Sequence, residues 1–243
     1  ISDSGLVGLW SFNNGSAYDE SGNGNDGTVT GAVFNEGNGT VGKGAWFDGV
    51  SDYVQIPQSS SINITGNLSV SVWLKFITAQ QNKGIVGKYR TGSTSRSWNL
   101  ITDQATSSGK FSFVALPSDS WNSNYMVTTS NQYNDNKWHH VVGVVSTGNV
   151  NKIYVDGVQD GQSVSAPSSI VSTESVLAIG SYDTLASNEF TGSIDEVRIY
   201  NRSLSQSEVQ NLYELGSYHI EWNEWSDRGK INDGTPLTAE GSG

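Results

Sequence analysis

The chain contains no cysteine in 243 residues, which removes disulfides, thiolate metal sites and a thiol nucleophile together. Basic residues are scarce, 13 against 24 acidic for a net charge of -11, and they form no cluster. Nucleic acid and anionic membrane surfaces recruit proteins through a basic footprint, so neither is expected as a partner, whereas divalent cations fit the charge balance. No apolar run reaches the length of a membrane-spanning helix. Catalytic signatures are lacking too: there is no Gly-x-Ser-x-Gly elbow and no phosphate-binding Gly-rich loop. The first residue is Ile1 rather than Met, which leads us to expect a processed form or an excised piece.

What the chain has instead is aromatic residues and turn formers. Eight Trp, ten Tyr and 28 Gly, amid many Ser, Thr and Asn, supply a sizeable core and the corners of an all-β protein. In Leu68 to Phe76, residues Leu68, Val70, Val72, Leu74 and Phe76 share one face, and Ser69, Ser71, Trp73 and Lys75 the other. That alternation predicts a half-buried strand. Further strands are expected over Ala45 to Ile56, Gly84 to Tyr89, Trp98 to Asp103, Lys110 to Leu116, Tyr125 to Thr129, Trp138 to Ser146, Lys152 to Asp156, Ser175 to Ser181 and Glu189 to Tyr200. Asp48-Gly49, Asp156-Gly157 and Asp160-Gly161 supply turns. With no long helices between them, the strands must pair antiparallel.

One helix is marked. Ser205 and Glu208 form a capping box, Leu204 and Val209 sit at the staple positions, and Gly216 falls where a left-handed cap belongs. The expected helix spans about Gln206 to Leu215, with Val209 and Leu212 facing the sheets. Beyond Gly216 the run His219 to Trp225 alternates like one more strand, and Ser226 to Gly243 is polar and aperiodic. This divides the chain into a domain over 1–216 and a segment over 217–243 that begins a following module of a larger parent chain.

Six blocks carry a resemblance: Gly5 to Phe12, Ser21 to Gly27, Ala45 to Val54, Lys137-Trp138-His139-His140-Val141, Ile153 to Gly157, and Gly192 to Ser203. In this order they resemble the LamG-like, concanavalin A-like jelly-roll family over roughly Gly5 to Leu215. The resemblance implies an all-β, two-sheet antiparallel sandwich, usually found in secreted or surface proteins as a carbohydrate-binding or adhesive module. The superfold also carries enzymes, but the Glu-x-Asp-x-x-Glu array of its laminarinase-like glycosidases is absent, so no catalysis is expected. A calcium ion commonly pins the two chain ends in the family. Asp19, Asn23, Asn25 and Asp195 are the expected ligands here, since calcium takes six to eight hard oxygens. Asn13 departs from the family by standing where relatives often have Asp.

Trp138-His139-His140 suggests a metal or acid-base pair, yet adjacent strand residues point to opposite faces and the imidazoles must diverge. The same holds for Asp195 and Glu196. A sugar site needs exposed aromatics with polar neighbours, because sugar rings stack through their apolar faces while their hydroxyls seek Asn, Asp and Arg. Lys88 to Tyr133 supplies both, including Arg96 and Asn99. The expected sugar-binding residues are Tyr89, Arg90, Trp98, Trp121, Tyr125 and Tyr182, with Trp121 the platform because its neighbours are all polar. A spacer or protein-assembly domain without a sugar site remains the competing class. Five Asn-x-Ser/Thr sequons, at Asn14, Asn38, Asn63, Asn67 and Asn201, mark possible surface glycans.

Overall fold

The computed structural model describes residues 3–90, 95–105, 108–182 and 188–229. Within them sixteen strands follow one another: β1 (Leu6–Trp10), β2 (Thr28–Thr30), β3 (Val33–Asn35), β4 (Gly44–Asp48), β5 (Tyr53–Ile56), β6 (Leu68–Lys75), β7 (Gly84–Arg90), β8 (Ser95–Thr102), β9 (Phe111–Ala115), β10 (Met126–Thr128), β11 (His139–Ser146), β12 (Val150–Val155), β13 (Val158–Gln159), β14 (Val164–Ser165), β15 (Leu177–Ile179) and β16 (Thr191–Tyr200). Helix α1 (Gln206–Gly229) comes last. One sheet runs β13-β12-β11-β6-β16-β4-β3, with β1 added on β16 and β14 on β12; the other runs β10-β9-β8-β7-β15-β5-β2. All pairs of named strands are antiparallel.

The two sheets bury a common core between them. Leu68, Val70, Val72, Leu74 and Phe76 enter it from β6 and the residue after it, and meet Trp98, Leu100, Phe111 and Phe113 from the facing sheet. This is the apolar set that the alternation of β6 indicates. The other face is not in water, however. Ser69 Oγ donates to the Arg202 carbonyl, Ser71 Oγ bonds His140 Nε2, and Trp73 stacks on Tyr213 of α1. All three are buried, because a helix and the segment before it lie across this face.

The stretch Ala45 to Ile56, expected as one strand, is two strands in different sheets. At the corner Asp48 Oδ1 accepts the Val50 and Ser51 amides, and Asp52 Oδ2 accepts the Asp48 amide. Asx turns of this kind stop a strand by offering the backbone other partners. The short strands β2, β3, β13 and β14 had too few residues for a periodic signal.

Helix α1 begins as expected. Glu208 Oε2 accepts the Ser205 amide, Ser205 Oγ accepts the Glu208 amide, and Leu204, Val209 and Leu212 pack on Val142, Val144, Tyr154 and Tyr200. It does not end at Leu215. The chain stays helical to Gly229, so the strand expected at His219 to Trp225 is replaced by helix. Gly216 is an interior contact rather than a cap: a Cβ there would lie under 3.0 Å from the Trp73 indole. The glycine lets the helix cross the tryptophan closely, and elongation past it needs no new nucleus. Residues 230–243 of the expected terminal segment lie outside the described residues.

Candidate functional site

On the outer face of the second sheet a small aromatic cluster sits apart from the core. Tyr89, Ile101, Val114, Leu116 and Tyr182 are buried in it, and Trp121, Tyr125 and Met126 pack partly buried against them. Tyr89 is the hub. Its ring meets Trp121 edge-on at 6.3 Å and Tyr182 edge-on at 5.3 Å, and the Arg96 guanidinium lies 5.9 Å from its centroid. Burial pushes the Tyr89 phenol above its ordinary range, with the charge of Arg96 opposing. Asn82 Nδ2 donates to the Tyr182 hydroxyl at 2.8 Å.

Strand register explains the grouping. Tyr89 stands opposite Arg96, Asn99 opposite both Gly87 and Val114, and Val114 opposite Met126. Cross-strand partners share a face. The segment after β9 folds back through Arg96, whose amide donates to Asp119 Oδ1 and whose Nη1 donates to the Asp119 carbonyl, both at 3.3 Å. That attachment brings Trp121 to Tyr89.

Four of the six expected sugar-binding residues therefore meet: Tyr89, Trp121, Tyr125 and Tyr182. Two do not. Trp98 is a correction, since it is fully buried in the main core, on the opposite face of β8 from Asn99. Its alternation with Leu100 marks that face. Arg90 pairs with Ser95, one position beyond the Tyr89–Arg96 pair, so the pleat turns it to the opposite side of the sheet. Asp119 and Asn82 complete the surroundings and were not anticipated. Nothing in the sequence around either residue signals its role.

The residues expected to hold calcium form two separate knots. Asp19 Oδ1 accepts the Leu9 and Ser21 amides, and Oδ2 the Asn25 amide. Asn25 Oδ1 accepts the Ser59 and Ser61 hydroxyls, and Nδ2 donates to the Val7 carbonyl. Asn23 Nδ2 donates to the Leu6 carbonyl and Ser21 Oγ. Asp195 belongs elsewhere: its Oδ2 accepts the Thr40 amide and hydroxyl and the Val41 amide, and its Oδ1 the Glu196 amide. The two carboxylates share no partner. With about two acceptor sites per oxygen, these bonds leave Asp19 Oδ2 and Asp195 Oδ1 each with room for one more contact. Each carboxylate is held as an amide-satisfied turn, and the expected ligands do not meet as one set.

Burial, and then the charge of Glu196, push the Asp195 carboxyl up to about 7 against the donors of Thr40 and Val41. Glu196 turns away in a positive-φ bulge and pairs with Arg198 at 2.5 Å. The adjacent histidines also diverge. His139 lies between Asp156 (Nδ1, 2.8 Å) and Asp135 (Nε2, 3.1 Å), whereas His140 faces Ser71 under the helix. Among the described residues no group of three His, Cys, Asp or Glu could hold a metal ion.

The fold is a two-sheet antiparallel sandwich with an aromatic cluster on one outer face, and the comparisons agree on the fold. The profile of the Laminin_G_3 family, described as the concanavalin A-like lectin/glucanases superfamily, matches residues 48–210. The chain belongs to this family. Among solved structures, domain 4 of AbnA, an extracellular arabinanase from Geobacillus stearothermophilus in complex with arabinotriose, is 21% identical with a TM-score of 0.69, covering 87% of this chain and 100% of that one. The binding domain of Paraclostridial Mosquitocidal Protein 1 is 17% identical with a TM-score of 0.67, covering 88% of this chain and 52% of that one. The ligand binding domain of botulinum neurotoxin serotype D, in complex with N-acetylneuraminic acid, is 18% identical with a TM-score of 0.63, over 87% of this chain and 51% of that one. The chain thus spans about half the length of the two toxin domains. Curated proteins gave no match. No helix among the described residues is long and apolar enough to cross a membrane.

Proposed function

We propose that the chain is a non-catalytic carbohydrate-binding module of a secreted or cell-surface protein, and that a sugar ring stacks at the open side of the Tyr89–Trp121 cluster. One observation carries the reading. Trp121 stays half-buried on a segment of polar residues, its ring edge-on to Tyr89, whose own ring carries the Arg96 guanidinium, so part of its apolar surface stays open near hydrogen-bonding groups. That combination suits a sugar, whose ring is apolar on its faces and polar around its rim. Arabinotriose on the arabinanase domain and N-acetylneuraminic acid on the neurotoxin domain support a glycan as the partner class. The engagement of the adjacent acids Asp195 and Glu196 by Thr40 and Arg198 accords with a non-catalytic role.

The test is retention in native gels containing soluble arabinan, xylan or mixed-linkage β-glucan, repeated with Trp121→Ala. Wild-type retention lost in the variant is expected; full retention by a folded Trp121→Ala removes the platform. A spacer or assembly domain is favoured instead by Leu215 and Tyr218, exposed on α1 at 56% and 65%. No glycan retention, together with a concentration-dependent mass in light scattering abolished by Tyr218→Ser, would establish that alternative.

A further inference from the structure

Two buried polar atoms beside the cluster have no hydrogen-bond partner: Asn99 Oδ1 and Arg96 Nε. They belong to one face. Asn99 shares its side of β8 with Ile101 and stands opposite Val114, while Arg96 stands opposite Tyr89. The register shift where β7 passes from Lys88 to Tyr89 is what turns residues three apart to the same side. Asn99 is 2% exposed. Gly87 clears the space at its amide, since a Cβ there would fall under 3.0 Å from Oδ1.

Orphaned buried groups are few in native proteins, because each forfeits its hydration for nothing. A leucine at position 99 would fill a similar volume without that cost. The site keeps an acceptor at Asn99 and a donor at Arg96, and a sugar carrying two adjacent hydroxyls offers the reverse, one group to donate and one to accept. We infer that Asn99 and Arg96 are the polar half of the sugar subsite, and that the ligand is a glycan residue with a free vicinal diol. The inference rests on the Trp121 stacking reading and adds the groups that select the ligand. The Trp121 segment beside them is tied to Arg96 by bonds at the long end of hydrogen bonding.

Asn99→Leu separates stability from recognition. The probe is whichever of soluble arabinan, xylan and mixed-linkage β-glucan retains the wild-type protein in native gels, followed by calorimetry with its oligosaccharide. The variant is expected to melt at or above the wild-type temperature while its Kd rises about tenfold or more, as when a site built to pair a hydroxyl loses that pairing. The O-methylated form of the same polysaccharide, which cannot donate to Asn99, is expected to lose retention by the wild type. Asn99→Ala serves if the leucine does not fold. A Kd within twofold of wild type in the folded variant, or undiminished binding of the methylated glycan, overturns the inference and leaves the Trp121 platform standing. A lower melting temperature in both variants would make Asn99 a structural residue and overturn it equally. Failure of all three polysaccharides to retain the wild type refutes the stacking reading and this inference together.

Discussion

Gly216→Ala is expected to destabilise the protein, against the rule for helix interiors. In a free helix alanine is favoured over glycine by about 0.8–1.0 kcal/mol. Here the new methyl would lie under 3.0 Å from Cε2, Nε1 and Cζ2 of Trp73. The indole has little freedom to retreat, being 2% exposed and packed against the rings of Tyr213 at 5.8 Å and His140 at 5.2 Å. Overpacking of this kind costs about 1–3 kcal/mol, so the clash outweighs the propensity gain by roughly 1 kcal/mol, a Tm loss of about 2–4 °C for a chain of this size. Calorimetry or urea melts read the change. In a Trp73→Ala background the clash disappears and the same substitution should stabilise by the propensity gain alone. A higher Tm for Gly216→Ala in the wild-type background, or no reversal of sign in the second, would refute the argument.

Trp98→Ala should cost about 3–5 kcal/mol of stability, as for a buried tryptophan, whereas Trp121→Ala should lose glycan retention with little change in melting; equal stability losses would place Trp121 in the core. His139 is desolvated, which lowers its pKa, but its hydrogen bond and charge pairing with Asp156, and then with Asp135, outweigh this and raise it above 6.5. Its stabilisation is therefore complete below pH 6.5 and lost as pH rises through the folded value. Subtracting urea midpoints of His139→Gln from wild type between pH 5.5 and about 9 isolates this term from Asp195 and Lys88, and a difference independent of pH would show that the imidazole is not charged. Chelator should leave the melting temperature unchanged, since amides already occupy Asp19 and Asp195; a drop that disappears in Asp19→Asn or Asp195→Asn would restore calcium to the seam.

The architecture was legible wherever one face of an element met the core. β6 and the residue after it show their period in five alternate residues, and the start of α1 shows its cap, because both signals are local. The end of α1 was not legible. A glycine chosen for contact with Trp73, distant in sequence, looks the same as one chosen for a left-handed turn. Likewise Asp19 and Asp195 are carboxylates in polar surroundings, and only the folded chain reveals that backbone amides, which every sequence has, had already claimed them. Trp121 was readable from its polar neighbours, but its tie to Arg96 through Asp119 depends on how the segment after β9 folds back.

The last strand has a consequence for how the molecule comes into being. β16 lies between β6 on one side and β4 and β1 on the other, so the middle of its sheet is supplied by nearly the final residues of the sandwich. A nascent chain that has emerged only as far as Ile179 exposes the open edges of β4 and β6 and has no means of joining them. Unpaired edges invite other chains, and pairing across so long a loop is slow. The sheet cannot close until the segment through Tyr200 has emerged, and the edges of β4 and β6 stay unpaired throughout that interval.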